Sequence, residues 1–413
     1  MILYNLSIYL MSGLAKIAAL FNSKSKKFVQ GRVGLFERLQ QAFEGVHDPV
    51  MWIHCASLGE FEQARPIIEK FSRDFPSHKI LLTFFSPSGY EVRKDYPAVD
   101  FVYYLPWDTQ ANAKRFVSIT KPALAIFVKY EFWSNFFNVL HERKTPILSV
   151  SAIFRKEQIY FKSHGRFFKS ILEKVNHFFV QNKTSIDLLH SIDIKQVTLA
   201  GDTRFDRVNE LISEKQENAI ARQFKNNENL FVIGSCWPED FEVLAPFIND
   251  QIGKLKFIIA PHEIEASFIR KIEKELEAKT VRYSAAVNLE ESDVLIIDNV
   301  GMLSKLYQYA EYAYIGGAFG KGLHNILEAA CNGIPIFFGN KNYQKFKEAN
   351  DLIMRGGAFE VDDYASLNSK FQSFTQRPES YLLACEVTMA YVKENLGATD
   401  KIISHCHVLL DKE

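Results

Sequence analysis

Residues 312–339 read Tyr-Ala-Tyr-Ile-Gly-Gly-Ala-Phe-Gly-Lys-Gly-Leu-His-Asn-Ile-Leu-Glu-Ala-Ala-Cys-Asn-Gly-Ile-Pro-Ile-Phe-Phe-Gly. A short apolar run ends in Gly316-Gly317, and a glycine-spaced loop follows through Gly320, Lys321 and Gly322. His324-Asn325 then opens a helix expected to stop at Asn332-Gly333, where a second apolar run begins. Strand, glycine loop, helix, strand is the unit that builds parallel sheets. Glycines let backbone approach a ligand closely. A helix start offers N–H groups and a positive dipole end, which suit phosphate. Asn325 can cap that helix, and Glu328 is placed to accept hydrogen bonds from a sugar hydroxyl. A bare Gly-Gly turn would favour a plain crossover whose glycines only turn corners. The added His-Asn-x-x-Glu at the helix mouth points to a nucleotide site.

Working outward, the same alternation fills most of the chain. Strands are predicted at 50–55, 79–85, 101–105, 123–128, 146–150, 177–181 and 197–200. Helices are predicted at 60–72, 109–117, 132–142, 165–175 and 184–191. Further strands fall at 230–234, 255–259, 279–283, 293–297, 312–316 and 334–338. The domains expected are an N-terminal helix with a basic flank (1–30), an α/β domain (31–205) and a charged linker (206–228). A second α/β domain (229–380) and a C-terminal helical segment (381–413) complete the chain. Two doubly wound domains would place a ligand in an interdomain cleft, at the carboxyl ends of their strands.

Bulk composition narrows the class. The 413 residues suit two domains, and 49 basic against 49 acidic residues leave no strong positive surface for nucleic acid. Five cysteines without paired spacing read as reduced buried thiols, and no His/Cys cluster has metal-ligand spacing. Residues 2–21 are mostly apolar but interrupted by Asn5, Ser7, Ser12 and Lys16, with Lys24, Lys26 and Lys27 following. A secretory signal carries its charge ahead of the apolar run. The order here favours a helix seated in a membrane surface, its lysines on the cytoplasmic side attracted to anionic lipid. An amphipathic helix packed on the first domain is the alternative.

Several acids and turns sit just past strand ends. Ser57-Leu-Gly59-Glu60 follows the first strand, and Glu60 there suits either a general base or a dipole-stabilising acid. Glu131, in Lys129-Tyr-Glu131-Phe-Trp133-Ser-Asn135, follows the strand at 123–128. Arg204, in Gly201-Asp202-Thr-Arg204-Phe-Asp206, suits a phosphate or a pairing with its neighbouring aspartates. Ser235 follows the strand at 230–234, and Pro261-His262 follow the one at 255–259.

Taken in order, Ser57-Leu-Gly59-Glu60, Glu131-Phe-Trp133-x-Asn135, Gly201-Asp202-x-Arg204-Phe-Asp206, Gly316-Gly317 and His324-Asn325-x-Leu327-Glu328 form a set. Gly31-Arg32-x-Gly34 and Phe36-Glu37-Arg38-Leu39 precede them. This set resembles the 3-deoxy-D-manno-octulosonic acid (Kdo) transferases of lipopolysaccharide assembly, over nearly the whole chain. The resemblance implies an α/β GT-B fold of two Rossmann-like domains. It implies CMP-Kdo as donor and a lipid A precursor as acceptor, presented at the cytoplasmic face of the inner membrane, with no metal or other cofactor. Glu60 matches the family's base, Glu131 its second essential acid, and Arg204 the position of a lysine that steadies the transition state. On the donor side the resemblance points to Ser235, Pro261, His262, Gly301, Gly316, Gly317 and the run His324, Asn325, Ile326, Leu327 and Glu328. Ser57 and Gly59 fall on the acceptor side. The family carries an arginine beside the histidine where this chain has Ala260-Pro261-His262-Glu263. A GT-B enzyme using a UDP-sugar, and a non-catalytic two-domain binding protein, are the rival readings.

Overall fold

A computed structural model describes residues 2–213 and 217–410. The chain divides into two compact units, Met1–Arg207 with Leu396–Glu413, and Val208–Asn395. Among the described residues each unit holds one parallel sheet of seven strands.

The first sheet contains β1 (Val50–Cys55), β2 (Lys79–Phe84), β3 (Phe101–Tyr104), β4 (Pro122–Val128), β5 (Ile147–Ala152), β6 (His177–Val180) and β7 (Val197–Leu199). Its order is β3-β2-β1-β4-β5-β6-β7. The strands read as unbroken apolar runs because helices cover both faces. Alternation along β1 splits the core. Trp52 faces one side, its ring 4.9 Å from Phe116, 5.0 Å from Phe127 and 5.5 Å from Phe136. Met51, Ile53 and Cys55 face the other, with Phe61, Ile67 and Ile126.

The second sheet contains β8 (Leu230–Cys236), β9 (Lys256–Pro261), β10 (Thr280–Arg282), β11 (Val294–Ile296), β12 (Tyr312–Ile315), β13 (Ile336–Gly339) and β14 (Ala358–Val361). It runs β10-β11-β9-β8-β12-β13-β14. The strands expected from sequence are all present, and β14 is an addition. It is a four-residue edge strand whose middle residues, Phe359 and Glu360, stay half-buried, so no apolar run marks it. A second addition is the helix Pro87–Arg93, capped by Ser86 with proline at its first position.

Two expectations change. The stretch 206–228 is not a linker without a buried face. Its second half forms the helix Ala219–Lys225, capped by Asn218, and buries Ala221 and Phe224 in the second unit. A helix of seven residues is too short for two buried positions to register as a stripe. The segment 381–413 does not act as one piece. Helix Pro378–Glu394 lies in the second unit, whereas Ala398–Leu410 returns to the first and adds Ile402, Ile403 and Cys406 to the core around Phe61. Asp206 fastens that return, accepting hydrogen bonds from Gly397 N, Thr399 N and Thr399 Oγ1, each at 2.7 Å.

At the other end, helix Ile2–Ala18 is tied to the first unit by polar contacts. The Tyr4 hydroxyl donates to Asp108, and Asn135 Nδ2 donates to Asn5 Oδ1 at 2.9 Å. Asp108 also accepts the N–H groups of Asn135 and Phe136, both at 3.0 Å, and so satisfies the start of helix Ser134–Glu142. Arg32 donates to the carbonyls of Phe28, Phe85 and Leu105, enclosed by aromatic rings. Among the described residues no helix is long and apolar enough to cross a membrane.

Removing the Asp206 carboxylate strips three hydrogen bonds from the start of the returning helix. Asp206→Ala is expected to cost about 1–2 kcal/mol, read as a lower urea midpoint. An unchanged midpoint would show that Ile402, Ile403 and Cys406 hold the helix without the cap.

Candidate functional site

In each sheet the winding started by the first strand turns to the other side, between β1 and β4 and between β8 and β12. Crossovers leave these pairs in opposite directions, so their carboxyl ends stay uncovered. Open α/β sheets bind ligands there.

At the β1 end the chain enters helix Leu58–Asp74 through Ser57, and Glu60 lies in the first helical turn. Ser57-x-x-Glu60 has capping-box spacing, but the Ser57 side chain makes no bond to the helix backbone. Its Oγ donates instead to Glu60 Oε2. Lys129 Nζ approaches the other oxygen, Oε1, at 3.5 Å. Burial alone would raise the Glu60 carboxyl; the Ser57 hydrogen bond and the Lys129 charge outweigh it and hold it below the usual carboxylate range. Gly59 is exposed beside them.

At the β4 end, Lys129 takes a left-handed backbone, φ +61°, at a cost of about 1–2 kcal/mol. That twist leaves Tyr130 exposed and brings Glu131 inward. Glu131 Oε2 accepts from Trp133 Nε1 at 3.1 Å and lies 3.6 Å from His54 Nε2. His54 is fully buried, and its Nδ1 meets Thr83 Oγ1 at 2.9 Å. Trp52 Nε1 donates to the same hydroxyl oxygen at 2.8 Å. The two acids therefore stand in different settings. Glu60 answers to a cation and a hydroxyl, Glu131 to an indole N–H and an imidazole.

Arg204 pairs with Asp202, its Nε and Nη2 at 3.0 and 2.8 Å from Oδ2. Asp202 also accepts from Gln63 Nε2 at 3.0 Å, one turn beyond Glu60. Burial would raise the Asp202 carboxyl, but the Arg204 charge and hydrogen bonds keep it low. Arg204 is thus anchored to the helix that carries Glu60.

In the second unit, β8 carries Ser235 next to its last residue at φ +52°, a second strained non-glycine residue at a switch point. A side chain on Gly316 would meet Ser235 O at 2.2 Å and Asp240 Oδ2 at 2.7 Å. One on Gly317, at φ +96°, would meet Gly322 O at 2.4 Å. The glycines are therefore required by packing. The loop's N–H groups also differ from the expectation of open phosphate donors. Gly317 N donates to Asp240 at 2.8 Å, and Gly316, Gly320, Gly322 and His324 donate to backbone carbonyls. Asp240, buried, further accepts from Trp237 N and the Tyr314 hydroxyl, both at 3.0 Å, and so holds the loop to helix Pro238–Asp250.

His324 and His262 stack beside Trp237, their ring centroids 4.3 Å apart and that of His262 4.2 Å from Trp237. Trp237 Nε1 donates to His324 Nε2 at 3.0 Å, which leaves the His324 proton on Nδ1. Burial, aided by His262, pushes His324 down to about 4. Burial, opposed by Glu263 and joined by Lys321, also lowers His262. Both rings are neutral near pH 7, so neither replaces an arginine as a charge. The cation in this corner is Lys321, its Nζ 4.4 Å from the Trp237 ring centre.

The helix after the loop is shorter than expected, Leu327–Ala330. Asn325 Nδ2 donates to Glu328 Oε1 at 2.9 Å, and Asn325 Oδ1 accepts from Leu327 N at 3.3 Å. Ile326 and Leu327 are fully buried, and Leu327 N is taken up by Asn325. Pro261 is buried as the last residue of β9, and Gly301, at φ +87°, is exposed beyond β11. Sequence reasoning passed over Asp240, Trp237 and His54 as site components. For Asp240 the signal was an acid at the third position of a helix opened by Pro238. Among the described residues no group of three His, Cys, Asp or Glu side chains is arranged to hold a metal ion.

Comparison with known proteins places this geometry. Residues 30–207 match the family model described as 3-deoxy-D-manno-octulosonic-acid transferase. A curated protein named 3-deoxy-D-manno-octulosonic acid transferase from Aquifex aeolicus is 30% identical over 327 residues, 78% of this chain and 84% of that one. One of the same name from Chlamydophila psittaci is 27% identical, covering 76% and 75%. Among solved structures, a UDP-GlcNAc 2-epimerase from Neisseria meningitidis bound to UDP-GlcNAc aligns with a TM-score of 0.62 over 88% of this chain and 100% of that one. At 14% identity it shows the fold alone, the GT-B pairing of two Rossmann-like units.

Burial lifts the Asp240 carboxyl to about 6 in the folded chain, against an ordinary value of roughly 4. The folded state holds this proton more tightly than the unfolded one. The stability it carries is complete below about pH 4 and lost as pH rises through about 6. Asn at this position does not titrate. The stability gap between wild type and Asp240→Asn is expected to move in the variant's favour across that window, measured by urea unfolding. A gap constant with pH would contradict the buried-acid assignment.

Proposed function

The chain belongs to the 3-deoxy-D-manno-octulosonic-acid transferase family, and from that premise we propose that it is an inverting glycosyltransferase moving Kdo from CMP-Kdo to a lipid A precursor (lipid IVA) in lipopolysaccharide core biosynthesis. The observation that supports this most directly is Glu60, held as a carboxylate at the β1–β4 reversal by groups from two different elements.

Breaking the Kdo–phosphate bond leaves cationic character at the anomeric carbon and negative charge on the departing cytidylate. Glu60 takes the proton from the attacking hydroxyl of the glycolipid, and one displacement inverts the anomeric centre. Glu131, aimed by Trp133, faces the developing cation. Arg204, braced by Asp202, offers positive charge to the departing phosphate. Asn325 and Glu328, already bonded to each other, present a matched donor and acceptor to the ribose. Cytidylate is a good leaving group, so the proposed step uses no metal. Chelation with EDTA is expected to leave the rate unchanged, and a rate restored only by added Mg²⁺ would refute this.

The acceptor is a membrane lipid, and the N-terminal helix has a surface for that setting. Leu3, Leu6, Leu10, Leu14 and Ile17 share one stripe and are 81%, 62%, 63%, 57% and 58% exposed. With Lys24, Lys26 and Lys27 beyond it, this stripe suits the cytoplasmic face of the inner membrane.

Two measurements test the reading. Purified protein given CMP-Kdo and a tetra-acylated lipid A precursor should yield a product heavier by Kdo in mass spectrometry. Transfer from a UDP-sugar with CMP-Kdo inert would overturn the donor. Leu6→Glu combined with Leu10→Glu, which spares the Tyr4 and Asn5 tethers, should abolish pelleting with anionic vesicles while the fold is kept. Undiminished pelleting would move the membrane surface elsewhere.

A further inference from the structure

Lys129 combines two features that core packing does not explain. The first is its backbone. It sits immediately after β4 at φ +61°, a conformation that glycine adopts freely and other residues rarely. The conformation is pinned from both sides, since Lys129 N donates to Val150 O at 2.8 Å and Lys129 O accepts from Ser149 Oγ at 3.1 Å. The chain thus keeps a long side chain where the geometry favours none. The second feature is where that side chain goes. Its ammonium lies 3.5 Å from Glu60 Oε1, with the lysine 25% and the glutamate 15% exposed. Ser57 holds the opposite oxygen. Each oxygen of Glu60 is therefore addressed by a different element, one by the helix head and one by the strand end.

We propose that Lys129 is a positioning residue for the transfer reaction, fixing the rotamer of Glu60 and keeping it a carboxylate until the acceptor hydroxyl arrives. This rests on the reading of Glu60 as the base. The contact is longer than a tight charge-assisted bond of roughly 2.7–2.9 Å. Oε1 is therefore free to accept from an incoming hydroxyl without breaking a strong bond, while the Coulomb attraction persists.

The other charged and titratable groups around Glu60 come from three places. Glu131 arrives from the same loop as Lys129, and His54 and Cys55 from β1. Glu62 lies on its own helix, where it pairs with Arg93 at 3.1 Å. Burial raises the Cys55 thiol, as do the charges of Glu60 and Glu131, so it stays neutral. Lys129 is then the cation that ion-pairs with Glu60 among the described residues. Without it, Glu60 protonates at higher pH, and the acid limb of the rate profile must follow.

The test uses full-length protein as wild type, Lys129→Met, Lys129→Gly and Lys129→Arg, each read two ways. Carboxyl ¹³C NMR of glutamate-labelled protein follows Glu60 directly, its signal assigned by loss in Glu60→Gln. The pH profile of kcat/KM follows the reaction. The Glu60 signal is expected to titrate at higher pH in Lys129→Met and Lys129→Gly, and at the wild-type position in Lys129→Arg. The neutral variants should lose roughly tenfold in kcat/KM at the acid end and little on the alkaline plateau. Lys129→Gly should melt no lower than wild type, because glycine accepts the strained backbone. A Glu60 titration unmoved in folded Lys129→Gly, or a rate loss equal at every pH, overturns the proposal. The NMR result needs no turnover. Wild-type inactivity with CMP-Kdo would therefore count against the function proposed above, while the titration would still decide the role of Lys129.

Discussion

An open parallel sheet with helices on both faces must reverse its winding somewhere, and at the reversal no crossover covers the strand ends. This constraint organises the chemistry of the chain. In the first unit it uncovers the ends of β1 and β4, where Ser57, Glu60, Lys129 and Glu131 gather. In the second it uncovers β8 and β12, where Ser235, Gly316 and Gly317 meet. Lys129 and Ser235 follow the winding change with left-handed backbone. Strain of that kind persists only where surrounding bonds over-determine it. For Lys129 those bonds are the Val150 carbonyl and the Ser149 hydroxyl.

Around these openings, polar groups that sequence presents as separate motifs prove to be single mechanical units. Asp202 ties Arg204 to Gln63 and so to the helix of Glu60. Asp206, in the same motif, fastens the returning C-terminal helix. Asp240 gathers the glycine loop, the Tyr314 hydroxyl and the head of the next helix onto one carboxylate. Each acid uses its acceptors inside the fold, which leaves Glu60 and Glu131 as the carboxylates at the first unit's opening.

The fold was legible because buried parallel strands are continuous apolar runs, as Pro122–Val128 shows. β14 escaped for the opposite reason, being a short edge strand with a half-buried glutamate. The placing of Glu60 and Glu131 just past the ends of β1 and β4 was legible from sequence, because an acid after an apolar run marks a strand end. Lys129, Asp240 and Trp237 were not, because what they do depends on partners distant in sequence. The glycine loop misled in an instructive way. Gly316 and Gly317 look like backbone opened for a ligand, yet Ser235 O, Asp240 and Gly322 O fill the space a side chain would need. A sequence cannot tell a glycine that admits a ligand from one that admits its own chain.

The account turns on Glu60 serving as base rather than as a binding group, and Glu60→Gln separates the two. The substitution keeps size and a hydrogen-bonding oxygen while removing basicity. Calorimetric binding of CMP alongside the single-turnover rate with CMP-Kdo and lipid A precursor reads both roles. The account predicts nucleotide affinity within about twofold of wild type and a rate lower by about 10²–10⁴. A variant that transfers Kdo at the wild-type rate would contradict it.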